Sequence, residues 1–202
     1  MKTSTHLLNL IALAAFASSA QAATVTVSNL PGNVPVPILD ADGALLSTGS
    51  VAIGIFSGDA AALGAAGDLA GLKAAFTQFG DSVSVGFNGL DGLYQNTVSA
   101  TVGGTEFSGA NVFTVVGNGT DVASSPGLFI FDHGITFVDE PGATPDAVVT
   151  VDGNAVLGIA GTGNVGGNEF AGYQLAGVVV PEPSSALLCL LGVASLTIRR
   201  RR

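Results

Sequence analysis

Short apolar runs, bounded by glycine, proline, asparagine and aspartate, recur from residue 24 to residue 179. Runs of this length and composition predict strands. The segments are Thr24–Ser28, Ser50–Phe56, Ser82–Phe87, Thr97–Val102, Asn111–Val116, Leu128–Phe131, Ile135–Val138, Ala147–Val151, Ala155–Ile159 and Tyr173–Val179. Strict alternation in Val83-Ser84-Val85 and Val149-Thr150-Val151 predicts one buried and one wet face. Turn dipeptides punctuate the runs: Asp42-Gly43, Asn88-Gly89, Asp91-Gly92, Asn118-Gly119 and Asp152-Gly153. The last of these, extended by Asn154, lies between two strand-like runs and predicts a hairpin. Many short strands with regular turns predict a mainly β domain, a β-sandwich or jelly roll. One stretch departs from this pattern. From Asp59 to Phe79 the residues Leu63, Leu69, Leu72, Phe76 and Phe79 fall at helical spacing, with Asp59 placed to cap and Gly80 to stop. Glycines 64, 67 and 71 divide it, so the expectation is one helix or two short ones packed on a sheet.

Composition agrees with strands. The chain is 48% hydrophobic and only 10% charged, which excludes a disordered polyelectrolyte and leaves material for a core. Charge changes the picture more. Between Ala23 and Val180 the sole basic residue is Lys73, set against fourteen acids, a net of −13 (one minus fourteen). Phosphate backbones are bound by Lys and Arg, so nucleic acid is not an expected partner. The single cysteine, Cys189, permits no intrachain disulfide.

Both ends read as signals. Lys2, the apolar run Leu7–Phe16 and the small-x-small site Ala20-Gln21-Ala22 form a secretory signal peptide, 1–22, cleaved before Ala23. Residues 23–179 are then the exported acidic domain. At the other end, Pro181-Glu182-Pro183 interrupts the preceding strand and holds the backbone extended. An uncharged run, Ala186–Ile198, follows, and then Arg199, Arg200, Arg201 and Arg202. Thirteen helical residues reach about 20 Å, short of the ~30 Å hydrocarbon core, so the expected transmembrane helix is a weak, temporary anchor. The arginines would stay cytoplasmic and leave the acidic domain outside.

This ordered tail, residues 180–202, resembles the PEP-CTERM sorting domain. Proteins bearing it are substrates of exosortases, membrane transpeptidase-like enzymes of Gram-negative bacteria that make exopolysaccharide. The resemblance implies processing near Pro181–Pro183 after transient inner-membrane anchoring, and delivery to the cell surface or extracellular matrix. It makes signal peptidase, an exosortase and the membrane the expected partners, with exopolysaccharide a further one. It carries no implication for the chemistry of residues 23–179.

Within the domain, His133 is the one histidine after the signal peptide, beside Asp132. Neighbouring strand residues face opposite ways, so Asp132 cannot orient it, and His133 reads as a turn residue between two strands. No Gly-x-Ser-x-Gly elbow and no zinc ligand set occurs. Asp40-Ala41-Asp42-Gly43 places two carboxylates before a turn, as calcium loops do, making Asp40 and Asp42 the candidate metal ligands. Asp139-Glu140-Pro141-Gly142 is a weaker instance. Asn118-Gly119-Thr120 fits a glycosylation sequon but reads first as a turn. Trp is absent, so a sugar-stacking platform would fall to Tyr94 or Tyr173. The first expectation is a non-enzymatic structural or interaction protein with no catalytic residue and no obligatory cofactor. A calcium-assisted adhesin or carbohydrate-binding module is the second, and a secreted hydrolase the third.

Overall fold

A computed structural model describes residues 22–139, 142–151 and 153–177. The expected signal segment before Ala22, Ala20 included, lies outside them, as do the expected sorting tail and membrane helix, Glu140 and Asp152. The domain is mainly β with two short helices. Its elements are β1 (Ala23–Ser28), β2 (Ile38–Leu39), β3 (Ser50–Phe56), α1 (Ala60–Ala65), α2 (Leu69–Ala75), β4 (Phe76–Ser84), β5 (Gln95–Ala100) and β6 (Asn111–Gly117). There follow β7 (Gly127–Thr136), β8 (Ala147–Val148), β9 (Asn154–Leu157), β10 (Ile159–Val165), β11 (Asn168–Gln174) and β12 (Ala176–Gly177).

The largest sheet runs β12-β7-β6-β3-β4, with β9 also on β7. Two three-stranded sheets, β5-β1-β8 and β10-β11-β2, contribute to the core on one of its faces. Val51, Ile53 and Ile55 of β3, Val112 and Val116 of β6, and Phe129 and Phe131 of β7 meet Val25, Val27, Val98, Ile38 and Tyr173 of the smaller sheets. The intervening residues, Ala52, Phe113, Val115, Leu128 and Ile130, form a second cluster with Leu69 and Leu72 of α2 and Ala60 of α1. The central strands are thus buried on both faces, which is why β3 and β6 read as continuous apolar runs. Phe79, Phe107 and Phe137 pack mutually with centroids 4.7–5.4 Å apart. Burial of each such ring contributes about 2–3 kcal/mol.

The helical stretch starts at the expected cap, Asp59, but is divided by a second cap, Asp68, and is shorter than its periodicity predicts. The Asp59 carboxylate accepts from the Ala62 amide at 3.0 Å, and Asp68 caps α2 by accepting from Gly71 at 2.8 Å. Between them Gly67 is left-handed (φ 66°), and the Asp68 and Gly67 amides donate back to Leu63 and Gly64, a Schellman stop. Phe76 and Phe79 do not continue the helix; they belong to β4, paired to Phe56 and Ile53. Gly80, expected to end a helix, instead sits at φ 64° in a bulge where residues 80–82 oppose Ala52. A Cβ on Gly80 would lie 2.8 Å from the Ser99 carbonyl, so this bulge brings β4 against β5 at the corner between sheets.

The expected hairpin at Asp152-Gly153 is not formed by its flanking strands. Ala147–Val148 pairs in parallel with β1, whereas Asn154–Leu157 pairs with β7, so the chain changes sheets there. The real hairpin joins β10 to β11 through Gly166 and Gly167 (φ 60° and 89°). The run predicted from Tyr173 onward is likewise divided: Tyr173 and Gln174 end β11, and Ala176–Gly177 crosses to β7.

Candidate functional site

Six hydroxyl or amide side chains gather at one end of the large sheet. Register places Ser50 opposite Ser84 on one side and Gly117 on the other. Gly117 has to lack a side chain, because a Cβ there would collide with the Ser125 hydroxyl. The chain after β6 folds into a loop closed by its own polar groups. Gly127 donates to Asn118 Oδ1 at 2.9 Å, Gly119 donates to Ser125 Oγ at 2.9 Å, and Ser125 Oγ donates to the Asp121 carbonyl at 2.6 Å. Asp121 Oδ1 accepts from the Ser124 amide, and this contact, with a second from the Ser124 hydroxyl, holds its carboxyl below the usual range. Lys73, reaching from α2, donates to the Ser125 carbonyl.

The result is a cleft of about 390 Å³ lined by Thr48, Ser50, Ser82, Ser84, Asn118 and Thr120, with Gly49, Val83 and Gly119 completing it. No lining residue is charged. Ser82, Ser84 and Thr120 are exposed. Ser50 is only 3% exposed, and its hydroxyl has no hydrogen-bond partner among the described residues. A buried hydroxyl left unpaired costs about 1–3 kcal/mol, so it stands out at the base of a polar cleft. An arrangement of hydroxyl and amide groups without charge suits exchange of hydrogen bonds with a neutral polar ligand. The Ser and Thr clusters at 47–50 and 82–84 are the sequence signal for this site; the strand register that joins them was not legible.

His133 lies elsewhere and is not a turn residue. It stands inside β7, where residues 133–135 bulge opposite Val112. Its Nε2 meets Thr114 Oγ1 at 2.8 Å, and its ring packs on Phe131 with centroids 5.0 Å apart. Burial lowers its pKa to about 4, against the opposing pull of a hydrogen bond to the Val148 backbone and of the Asp132 charge. The imidazole therefore ties β6 and β7 to β8 as a neutral bridge. Asp132 turns away, accepting from the Gly134 amide at 2.8 Å.

Asp40 and Asp42 occupy the exposed turn after β2. Asp40 Oδ1 accepts from the amides of Asp42 (2.9 Å) and Ala44 (3.1 Å), so one of its two oxygens already organises the turn. Calcium takes six to eight oxygens, and two carboxylates with one oxygen engaged are a poor start. Among the described residues no three His, Cys, Asp or Glu side chains gather around a common point. Asp139 accepts from the Ser108 hydroxyl at 3.0 Å. Neither tyrosine is placed to stack on a sugar: Tyr94 is fully buried, and Tyr173 is buried and stacked on Phe129 at 4.8 Å.

Among the described residues no helix is long and apolar enough to cross a membrane. Ala23, the expected mature N-terminus, opens β1 opposite Ala100. The cleft and the layers have to be read on their own chemistry, since no family model, no curated protein and no solved structure matches this chain.

Proposed function

We propose that this protein is an exported, surface-sorted, non-enzymatic structural or interaction component of a Gram-negative envelope or exopolysaccharide matrix. Its tail is the substrate of an exosortase. The observation that carries the reading is the order of Pro181-Glu182-Pro183, the uncharged run Ala186–Ile198 and Arg199–Arg202 behind an acidic domain, with Ala20-Gln21-Ala22 ahead of it. The layered domain supports it by running from Ala23 to Gly177, between the two processing points. Intact mass of the protein recovered from its host is the test. A product from Ala23 to the vicinity of Pro181–Pro183 is expected; one still ending at Arg202 would overturn the processing.

The cleft favours a second reading, a module that binds neutral oligosaccharide, with Thr48, Ser82, Ser84, Asn118 and Thr120 supplying hydrogen bonds. Calorimetric titration with fragments of the host's exopolysaccharide tests it. Binding should be lost in Ser84→Trp, which fills the cleft from an exposed position and leaves the melting temperature unchanged. Equal heats from both proteins would reject the cleft as the site.

A further inference from the structure

We propose that the outer edge of β10 pairs antiparallel with β10 of a second copy, about a twofold axis at Thr162, joining two three-stranded sheets into one of six strands. The inference goes beyond the sorting reading and does not depend on it.

The geometry follows from the hairpin. A two-residue turn with both glycines left-handed makes the closing pair, Val165 and Asn168, the hydrogen-bonded one. Hydrogen-bonded and non-bonded pairs then alternate along an antiparallel ladder. Gly163, Gly161 and Ile159 therefore turn their backbone groups toward β11, and Ala160, Thr162 and Asn164 turn theirs outward. These three residues are exposed, and among the described residues nothing hydrogen-bonds to their outward amides or carbonyls.

Sheet edges are ordinarily blunted by lysine, proline, a bulge or a covering segment. Among the described residues β10 has none of these: its register with β11 runs unbroken over all seven residues, and it contains neither proline nor a charge. The other long edges, β4 and β5, close on each other at the Gly80 bulge. β9 has only four residues, and β2, β8 and β12 have two each. On its inner face Gly161 and Gly163 admit the side chains of Pro37, of Leu39 in β2 and of Leu45 within 3.1 Å of where a Cβ would stand, so this face is packed and only the edge is open.

A second copy is the occupant the edge suits. With Thr162 opposite Thr162 of the second copy as a hydrogen-bonded pair, each Ala160 meets an Asn164. All three outward residues of each strand are then satisfied at once. Charge points the same way. Two chains with a net −13 between Ala23 and Val180 repel over most of their surface, but Gly153–Asn168 carries no charged side chain. A strand-edge contact is small, so a reversible dimer is expected rather than an obligate one.

Sedimentation of the protein as recovered from its host, at rising concentration up to about 200 µM, tests the inference. A monomer–dimer equilibrium is expected. Thr162→Asp and Thr162→Lys, each setting like charges face to face on the axis, should weaken it at least about tenfold at low salt. An equimolar mixture of the two variants should restore it. Independently of any variant, exchange of the Ala160, Thr162 and Asn164 amides in the wild-type protein should slow as concentration rises. A protein that stays monomeric, or a dimer indifferent to both substitutions, or unchanged exchange at these three amides, would overturn the proposal.

Discussion

Replacing Asn29 by alanine should be among the most damaging single changes in the described domain, although the side chain takes part in no site. Asn29 is 0% exposed at the end of β1. Its Nδ2 donates to the carbonyls of Val36 and Gly92, both at 2.8 Å, and its Oδ1 accepts from the Tyr94 amide at 2.8 Å. One amide group thus fastens two loops to the first strand. In Asn29→Ala the Tyr94 N–H and the Val36 carbonyl lose these partners in the interior. The Gly92 carbonyl keeps the Ile38 amide at 2.9 Å and loses only one of two bonds. Two orphaned groups at about 1–3 kcal/mol each, plus about 1 kcal/mol for the third bond, give a loss of about 5 kcal/mol. That is a large part of the 5–15 kcal/mol typical of a domain. Urea unfolding followed by far-UV circular dichroism is the assay, since the chain has no Trp. With a slope of about 2 kcal/mol/M the midpoint should fall by about 2.5 M. Asn118→Ala, which gives up one half-buried bond to Gly127, should cost only about 1 kcal/mol. A loss below 1 kcal/mol for Asn29→Ala, or equal losses for the two variants, would refute the reasoning.

His133 makes stability depend on pH. Its folded pKa of about 4 lies below the unfolded value near 6.5, so the unfolded chain takes up the proton first. Stability is full above pH 6.5 and falls as pH drops toward 4, by up to about 3 kcal/mol. Melting temperatures across that range should show this slope, and His133→Asn should flatten it; an unchanged slope would assign it to other groups. Tyr94→Phe should be neutral or stabilising by about 1 kcal/mol in urea, because the Tyr94 hydroxyl is buried without a partner and its burial pushes the phenol far above its ordinary pKa. Calcium at millimolar concentration should leave the melting temperature unchanged, because Asp40 is committed to its own turn; a rise of several degrees would restore the calcium reading.

Legibility in the sequence tracked how each element is buried. Ser50–Phe56 was predicted to the residue, and Asn111–Val116 to within one, because strands covered on both faces must be apolar without interruption. β10 was missed because its composition, Ile-Ala-Gly-Thr-Gly-Asn-Val, answers to a loop crossing beneath it rather than to a sheet's apolar face. Its signal was the Gly166-Gly167 pair, a strong hairpin turn. The Leu/Phe stripe ran past the true end of α2 because Phe76 and Phe79 are spaced for a helix, yet their partners lie on β3. Local spacing cannot see that partner. The same limit hid the cleft, whose lining comes from three segments joined only by strand register.

The acidic surplus between Ala23 and Val180 has a local physical account. Five carboxylates accept backbone amides within four residues of themselves: Asp40 from Asp42 and Ala44, Asp59 from Ala62, Asp68 from Gly71, Asp121 from Ser124, and Asp132 from Gly134. Short strands need many turns, each turn exposes amides that must be paired, and a carboxylate is a strong acceptor for them. At the two helix starts the negative charge also complements the helix dipole. Asn or Ser could cap as well, but Asp adds repulsion between copies of the domain, which opposes indiscriminate association. The charge therefore sits where the turns are. The edge of β10 carries none of it, so repulsion is weak there, and among the described residues its outward backbone groups remain open for a partner.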